Sequence, residues 1–426
     1  MLAHAVAMRT TGKPARLERR EFIDPAIVES VKPSEKLNQL DAFAVTAPGL
    51  EHLCAAELTA LGLRARAIDG GVEWRGTLES VMRANLWSRL ASRVLVRVAE
   101  FRAKAFFELE LNAKKLPWSR FVAPGATVEF RVTCRKSKLY HTDAVAQRFA
   151  EALGSAVRDV RIAKAKSEAD DESNASVKKP RSAKAAKQLF VVRFLHDVAT
   201  VSVDASGALL HMRGYRQALA KAPLRETLAA ATLLGAGWDG TNPLIDPMCG
   251  SGTIPIEAAL IARRIAPGRD RSFGFLEWPE VDRDQWSAML DQAKAGELAS
   301  SAVRITGSDR DAGAITAAKA NAERAGVLND VELEVRSISA MEPAEGTGLV
   351  ASNPPYGVRV GEAERLRDLY AQLGNVLRAR RPGWELALLS ADRQLERQLR
   401  LDLEERLTTR NGGIPVHLVV AAIPAE

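Results

Sequence analysis

The chain predicts an α/β architecture, with a Rossmann-like, doubly wound sheet in its C-terminal half and two smaller α+β units before it. Three observations carry this. From Leu228 onward, short apolar runs of strand character alternate with helical stretches, the pattern of a mostly parallel sheet covered on both faces. Within that series, Leu244-Ile-Asp-Pro-Met-Cys-Gly-Ser-Gly-Thr-Ile-Pro-Ile-Glu257 reads as a strand entering a glycine turn and then a helix. Further along, Leu349-Val-Ala-Ser-Asn-Pro-Pro-Tyr356 reads as a strand ending in a stiff loop.

The elements follow in order. Residues 1–40 hold many charges without sustained periodicity and read as a basic tail, with a short helix near Pro25–Val31. From Asp41, strands at 43–46, 72–75 and 94–101 alternate with helices at 51–61 and 78–90, which makes a first α+β unit over 41–104. A second unit, 105–208, offers strands at 128–134, 189–194 and 200–204 and a helix at 142–153. Residues 162–188, rich in Ala, Ser, Lys, Glu and Asp, read as a flexible insertion within it. In 209–426 the strands fall at 243–246, 303–308, 331–335, 348–353, 385–390 and 416–423, with helices at 256–265, 312–325, 366–379 and 393–399. Asn411-Gly is a hairpin signal and predicts an antiparallel strand added to the parallel sheet.

Composition narrows the class. The 426 residues are 46% apolar with a net charge of +7, enough chain for several cores. No apolar run reaches membrane-spanning length, and Ala3–Met8 is too short for a signal sequence. Cys54, Cys134 and Cys249 have no metal spacing, so no metal site is expected and a reducing, cytoplasmic location fits.

The glycine turn is not a dinucleotide fingerprint, because Pro255 stands where a third glycine is needed, and it lacks the Gly-Lys-Ser/Thr of a phosphate loop. Gly250 and Gly252 let the backbone approach a ligand, and Met248 lies in the same turn. Thr253 begins a helix whose N–H groups suit a carboxylate, and Asp246 suits an ammonium. Asp309, at the end of the next strand, suits ribose hydroxyls, while Asp311 reads as a helix cap. Together these describe a site for S-adenosylmethionine. At the other strand end, the Asn353 side-chain oxygen and the Pro354 carbonyl are two acceptors for an amine's hydrogens, and Tyr356 offers a stacking face. Catalysis there is mostly positioning of a planar NH2 group. Cys249, inside the turn, reads as a packed thiol.

These motifs resemble the THUMP-domain class I RNA methyltransferases that act on the 2-amino group of guanosine. The resemblance runs from about residue 41 onward and includes Leu210-His-Met-Arg-Gly-Tyr-Arg216, Ala222-Pro-Leu-Arg-Glu-Thr-Leu-Ala229, Phe273-Gly-Phe-Leu-Glu-Trp278 and Ser137-Lys-Leu-Tyr-His141. It implies a ferredoxin-like domain at 41–104, a THUMP RNA-binding domain at 105–208 and a methyltransferase domain at 209–426. It also implies that the segment Ala222–Leu228 lies over the cofactor. Where the family often has an acidic residue near the adenine, this chain has Ser337, a weaker partner.

Two basic patches are candidates for RNA contact: Arg131, Arg135, Lys136 and Lys138 followed by Tyr140 and His141, and then Arg213, Tyr215, Arg216, Lys221 and Arg225. Trp278 and Trp286 read as core. The expected activity is methylation of a guanosine 2-amino group in large-subunit ribosomal RNA by a monomer. Transfer RNA is an alternative substrate, as is an adenine amine in DNA. A non-catalytic ribosome-assembly protein is a reading of another class. With no second catalytic domain in the sequence, one modification is expected.

Overall fold

The computed structural model describes residues 39–164, 187–216, 224–356 and 363–425. The expected tail and its helix, nearly all of the 162–188 insertion, Lys221 and the Ala222-Pro pair lie outside the described residues.

The N-terminal half is built on one eight-stranded sheet. Its strands are β1 (Leu40–Val45), β2 (Arg66–Ile68), β3 (Gly71–Gly76), β4 (Arg93–Arg102), β5 (Thr127–Arg135), β6 (Arg161–Ala163), β7 (Gln188–Leu195) and β8 (Val198–Asp204), in the order β2-β3-β1-β4-β8-β7-β5-β6. Helices α1 (Glu51–Ala60), α2 (Leu78–Trp87), α3 (Phe106–Ala113), α4 (Trp118–Phe121) and α5 (Thr142–Ala156) accompany it. The two α+β units read from the sequence therefore share a single sheet. They join where β4 pairs antiparallel with β8, from Leu95 opposite Asp204 to Arg102 opposite Val198. β4 has β1 on its other side, so the pairing satisfies both of its edges.

Beneath the outer half of this sheet, Trp118 stands edge-on to Phe190 and Phe130, with centroids 5.1 and 6.1 Å away. Its indole N–H donates to the Ala113 carbonyl at 2.9 Å, so a large apolar ring is buried without an unpaired donor.

The C-terminal half is a seven-stranded sheet in the order β11-β10-β9-β12-β13-β15-β14. The strands are β9 (Leu244–Asp246), β10 (Ile305–Asp309), β11 (Glu332–Val335), β12 (Leu349–Ser352), β13 (Glu385–Ser390), β14 (Glu404–Asn411) and β15 (Ile414–Ala422). Strands β9 to β13 run parallel, and β15 adds antiparallel to β13 with β14 outside it, as the Asn-Gly signal predicted. The helices are α6 (Glu226–Gly235), α7 (Thr253–Ala262), α8 (Arg283–Ala295), α9 (Ala312–Arg324), α10 (Ala363–Arg380) and the short α11 (Arg393–Glu396). α6 and α8 were not singled out in the sequence. α6 is buried on nearly every side, so it lacks the polar face that gives a helix its rhythm.

The segment 273–278 docks the two halves together. Trp278 is buried, donates to Gln188 Oε1 at 2.8 Å and meets the edge of Phe121 at 5.1 Å. Trp286 is buried against Phe273 and Phe275. Both tryptophans are core, as read from the sequence.

Candidate active site

Three neighbouring strands, β10, β9 and β12, end side by side and bring Asp309, Asp246 and Asn353 to one edge of the sheet. This is the carboxyl edge, where open α/β sheets hold their ligands.

Asp246 is 2% exposed. Its Oδ1 accepts from the Met248 backbone N–H at 3.1 Å and from the Ser352 hydroxyl at 2.6 Å. Burial pushes its pKa up to about 7, and nearby Asp309 pushes the same way, against the opposing effect of those two hydrogen bonds. No cation pairs with it among the described residues, and a buried carboxylate of this kind suits a positively charged ligand group.

The loop between β9 and α7 is held from below. The Cys249 N–H donates to the Ser308 carbonyl at 2.9 Å, and Asn321 of α9 donates to the Ser251 carbonyl at 3.0 Å. Gly252 caps α7 at φ +83°, and an added Cβ would stand 3.0 Å from the Ala318 Cβ. Gly250, at φ +53°, has no atom of the described residues within 4 Å of where its Cβ would be. Open space above a left-handed glycine is the cradle that a ligand lying on the loop requires.

Asp309 is tied to this loop. One carboxylate oxygen accepts from the Gly250 N–H at 3.0 Å and the other from the Asp311 N–H at 2.9 Å. Asp311 is the cap of α9, accepting from Gly313 and Ala314. Ser337 is exposed and shares a hydrogen bond with Ser339 at 2.9 Å. Beside it, Val335 pairs in register with Asp309 and is 57% exposed. This apolar face at a strand tip was missed in the sequence, where a valine closing a strand looks like any other. Met248 is half-buried against the smaller core cluster, Thr253 is buried in the first turn of α7, and the Cys249 thiol is buried with its pKa raised by that burial.

Asn353 follows β12. Its Oδ1 is buried and has no hydrogen-bond partner among the described residues. Such an acceptor costs on the order of 1–3 kcal/mol. Pro354 is buried beside it, and Tyr356 is half-buried against the larger core cluster. The Tyr356 hydroxyl accepts from the Asn411 side-chain amide at 2.6 Å, a bond between the loop after β12 and the β14–β15 turn that local sequence does not reveal.

The profile of the RMKL-like methyltransferase domain matches residues 213–419, and that of the RlmL ferredoxin-like domain matches 41–95. The Synechocystis sp. protein slr0064 is 36% identical over 88% of this chain and 95% of its own length. The chain belongs to the RMKL-like methyltransferase family. A ribosomal RNA large subunit methyltransferase K/L of Syntrophotalea carbinolica is 37% identical over 88% of this chain, which spans about half of that longer relative, 53%. Among solved structures, SMU.472 in complex with SAH superposes with a TM-score of 0.78 at 28% identity, covering 91% of this chain and 99% of that one.

On this RMKL-like scaffold the two basic patches fare differently. Arg135, Lys136, Lys138 and Tyr140 are exposed at the end of β5, and the Tyr140 and His141 rings lie 4.1 Å apart. The Lys138 N–H donates to Asp197 at 2.7 Å, and Asp197 N–H donates to the Ser137 hydroxyl at 3.0 Å, so the loop is braced by the β7–β8 turn. Arg193, opposite Thr133 on the exposed sheet face, joins this surface and was not singled out from the sequence. Arg131 belongs to it less, being half-buried beside Glu129 at 3.5 Å.

The second patch is corrected at Arg213, Tyr215 and Arg216; Tyr215 is buried, with its hydroxyl donating to Glu257 at 3.0 Å. Arg213 is buried and cannot face RNA. Its guanidinium donates to Glu257 at 3.1 Å and to the carbonyls of Arg89 and Leu210 at 2.9 and 3.2 Å. Arg216 is likewise turned inward, to Glu226 at 3.3 Å and the Leu224 carbonyl at 2.7 Å. Arg225 is half-buried directly before α6. The two inward-facing cations, Arg213 and Arg216, neutralise buried carboxylates, which a run of basic letters cannot disclose.

Proposed function

We propose that this methyltransferase transfers a methyl group from S-adenosylmethionine to the exocyclic 2-amino group of a guanosine, in large-subunit ribosomal RNA. The observation that carries the reading is the buried Asn353 Oδ1, without a hydrogen-bond partner among the described residues, at the tip of the strand next to Asp246. An acceptor without a donor fits an incoming NH2 group.

In this reading Asp246 holds the donor's ammonium, and the N-terminus of α7, beginning at Thr253, receives its carboxylate. Met248, Gly250 and Gly252 form the floor beneath it. Asp309 accepts from the ribose hydroxyls, with Ser337 and Val335 beside the adenine. When bound, the donor supplies an electrophilic methyl group on sulfur. Asn353 Oδ1 and the Pro354 carbonyl accept the two amine hydrogens, drawing the nitrogen lone pair out of the ring and towards the methyl carbon. Forming the C–N bond would break the methyl–sulfur bond and leave S-adenosylhomocysteine as a neutral thioether, while the released amine proton would pass to solvent. Tyr356 stacks on the base, which must be unpaired or flipped to enter.

Residues 105–208, as a THUMP-type module, grip structured RNA through Arg135, Lys136, Lys138, Arg193 and the Tyr140–His141 ring pair, with Arg131 half-buried at the edge of that surface. The relative's name, a large-subunit methyltransferase, supports ribosomal RNA over transfer RNA. A monomer acting in the cytoplasm suffices for this chemistry.

The test offers labelled donor to protein-free ribosomal RNA, transfer RNA and duplex DNA, with nucleoside mass spectrometry of the products. N2-methylguanosine in the large-subunit fraction is the expected result. Methyladenine in DNA alone would reverse the substrate class, and no transfer to any of them would reject the reading.

A further inference from the structure

We infer that Asn411, at the tip of the β14–β15 hairpin, is a positioning residue for the acceptor base, acting through the ring of Tyr356. This rests on the placement of the base beside Tyr356 given above.

The side-chain amide of Asn411 donates to the Tyr356 hydroxyl at 2.6 Å across 55 residues of sequence. A tyrosine ring pivots about two side-chain bonds. Here its backbone follows two prolines, Pro354 and Pro355, and its far end is held by Asn411. Fixing both ends sets the plane of the ring before a base arrives, and a preset stacking face costs less ordering on binding.

The turn alone does not account for this bond. Asn411 precedes Gly412 and Gly413, at φ +56° and +88°, and an asparagine there is expected simply to shape a hairpin. A side chain serving only the turn bonds its own backbone. This one directs its amide to the catalytic loop instead. An added Cβ on either glycine would meet nothing among the described residues within 4 Å, so the tip projects clear of the core around it. The path back to the chemistry is short. β15 pairs with β13, β13 pairs with β12, and β12 delivers Asn353. The antiparallel hairpin thus reaches from the sheet edge to the mouth of the acceptor site.

The test measures steady-state methylation of RNA by the full chain, with calorimetric donor affinity and melting temperature as companions, for N411A, Y356F and the double variant. The expected result is a roughly three- to tenfold loss of kcat/KM for RNA in N411A, the size of one hydrogen bond, with donor Kd unchanged. Because both groups act through one bond, the double variant loses no more than the worse single one. An N411A enzyme equal to its parent overturns the inference, as do single losses that multiply in the double. A parent that methylates no RNA removes the base-placement reading itself, and the inference falls with it.

Discussion

Asn353 Oδ1 is a buried acceptor with no donor among the described residues, and buried polar atoms in folded proteins are mostly paired, which fits a bond made to a ligand. Asn353→Ala is expected to lower kcat on RNA by about a hundredfold or more, as removal of a preorganised hydrogen-bonding group does, with donor affinity by calorimetry within about twofold. Asp246 makes a prediction in pH. Its pKa is raised to about 7 by burial. The unfolded chain titrates near the ordinary carboxylate value, so this group's contribution to stability is full at acid pH and is lost as pH climbs towards 7. A ligand ammonium needs the ionised form, so donor binding should tighten about tenfold between pH 6 and pH 8. Ser352→Ala removes a donor that favours ionisation, and the midpoint of that binding curve should move upward. Flat affinity across this range would take Asp246 out of the ammonium site. Asp246 and Asn353 were legible in the sequence because each sits in a short local motif. Ser352 and Asn411 were not, since their roles exist only through partners distant along the chain.

At the scale of elements, the two glycines of the β9–α7 loop separate folding from binding. Gly252→Ala adds a Cβ 3.0 Å from Ala318 in a left-handed backbone, so it should cost about 1–3 kcal/mol of stability, visible in urea unfolding. Gly250→Ala carries the same left-handed backbone penalty of about 1–2 kcal/mol without the collision, because open space surrounds its Cβ. That space is where the donor would lie, so its loss of donor affinity should exceed its loss of stability. The reverse order would move the donor off this loop. The sequence pattern found the strands of both halves and the final hairpin because alternation and turn chemistry are local signals. It passed over α6, whose burial on nearly all sides erases amphipathic rhythm, and β2 and β6, three residues each, which are too short to show any.

Across the whole molecule, a buried ionic cluster joins the N-terminal sheet to the methyltransferase half. Glu57 of α1 accepts from the Arg89 N–H and the Ser88 hydroxyl, both at 2.7 Å. The Arg89 guanidinium reaches the Leu260 and Ile265 carbonyls at 3.2 and 2.8 Å, and burial lowers its pKa to about 10. Arg213 and Tyr215 close the cluster on Glu257 of α7. Arg213→Leu strands a buried carboxylate and should cost about 3–5 kcal/mol. It should leave the salt dependence of RNA binding unchanged. Replacing Lys136 or Lys138 with alanine should do the opposite. The melting temperature should stay in place, while the slope of log affinity against log salt falls by about 1 for each phosphate the variant no longer neutralises. A lysine variant with an unaltered slope would remove that residue from the RNA surface.

The sequence by itself determined the order of the longer strands, the glycine turn with its two aspartates, and the Asn-Pro-Pro-Tyr strand end, because each is written in residues a few positions apart. Only the tertiary structure decided which charges face solvent, that two apparent units share one sheet, and that a distant hairpin steadies Tyr356. Burial and pairing depend on what the rest of the chain places opposite a residue, and an arginine carries the same letter in the core as at the surface.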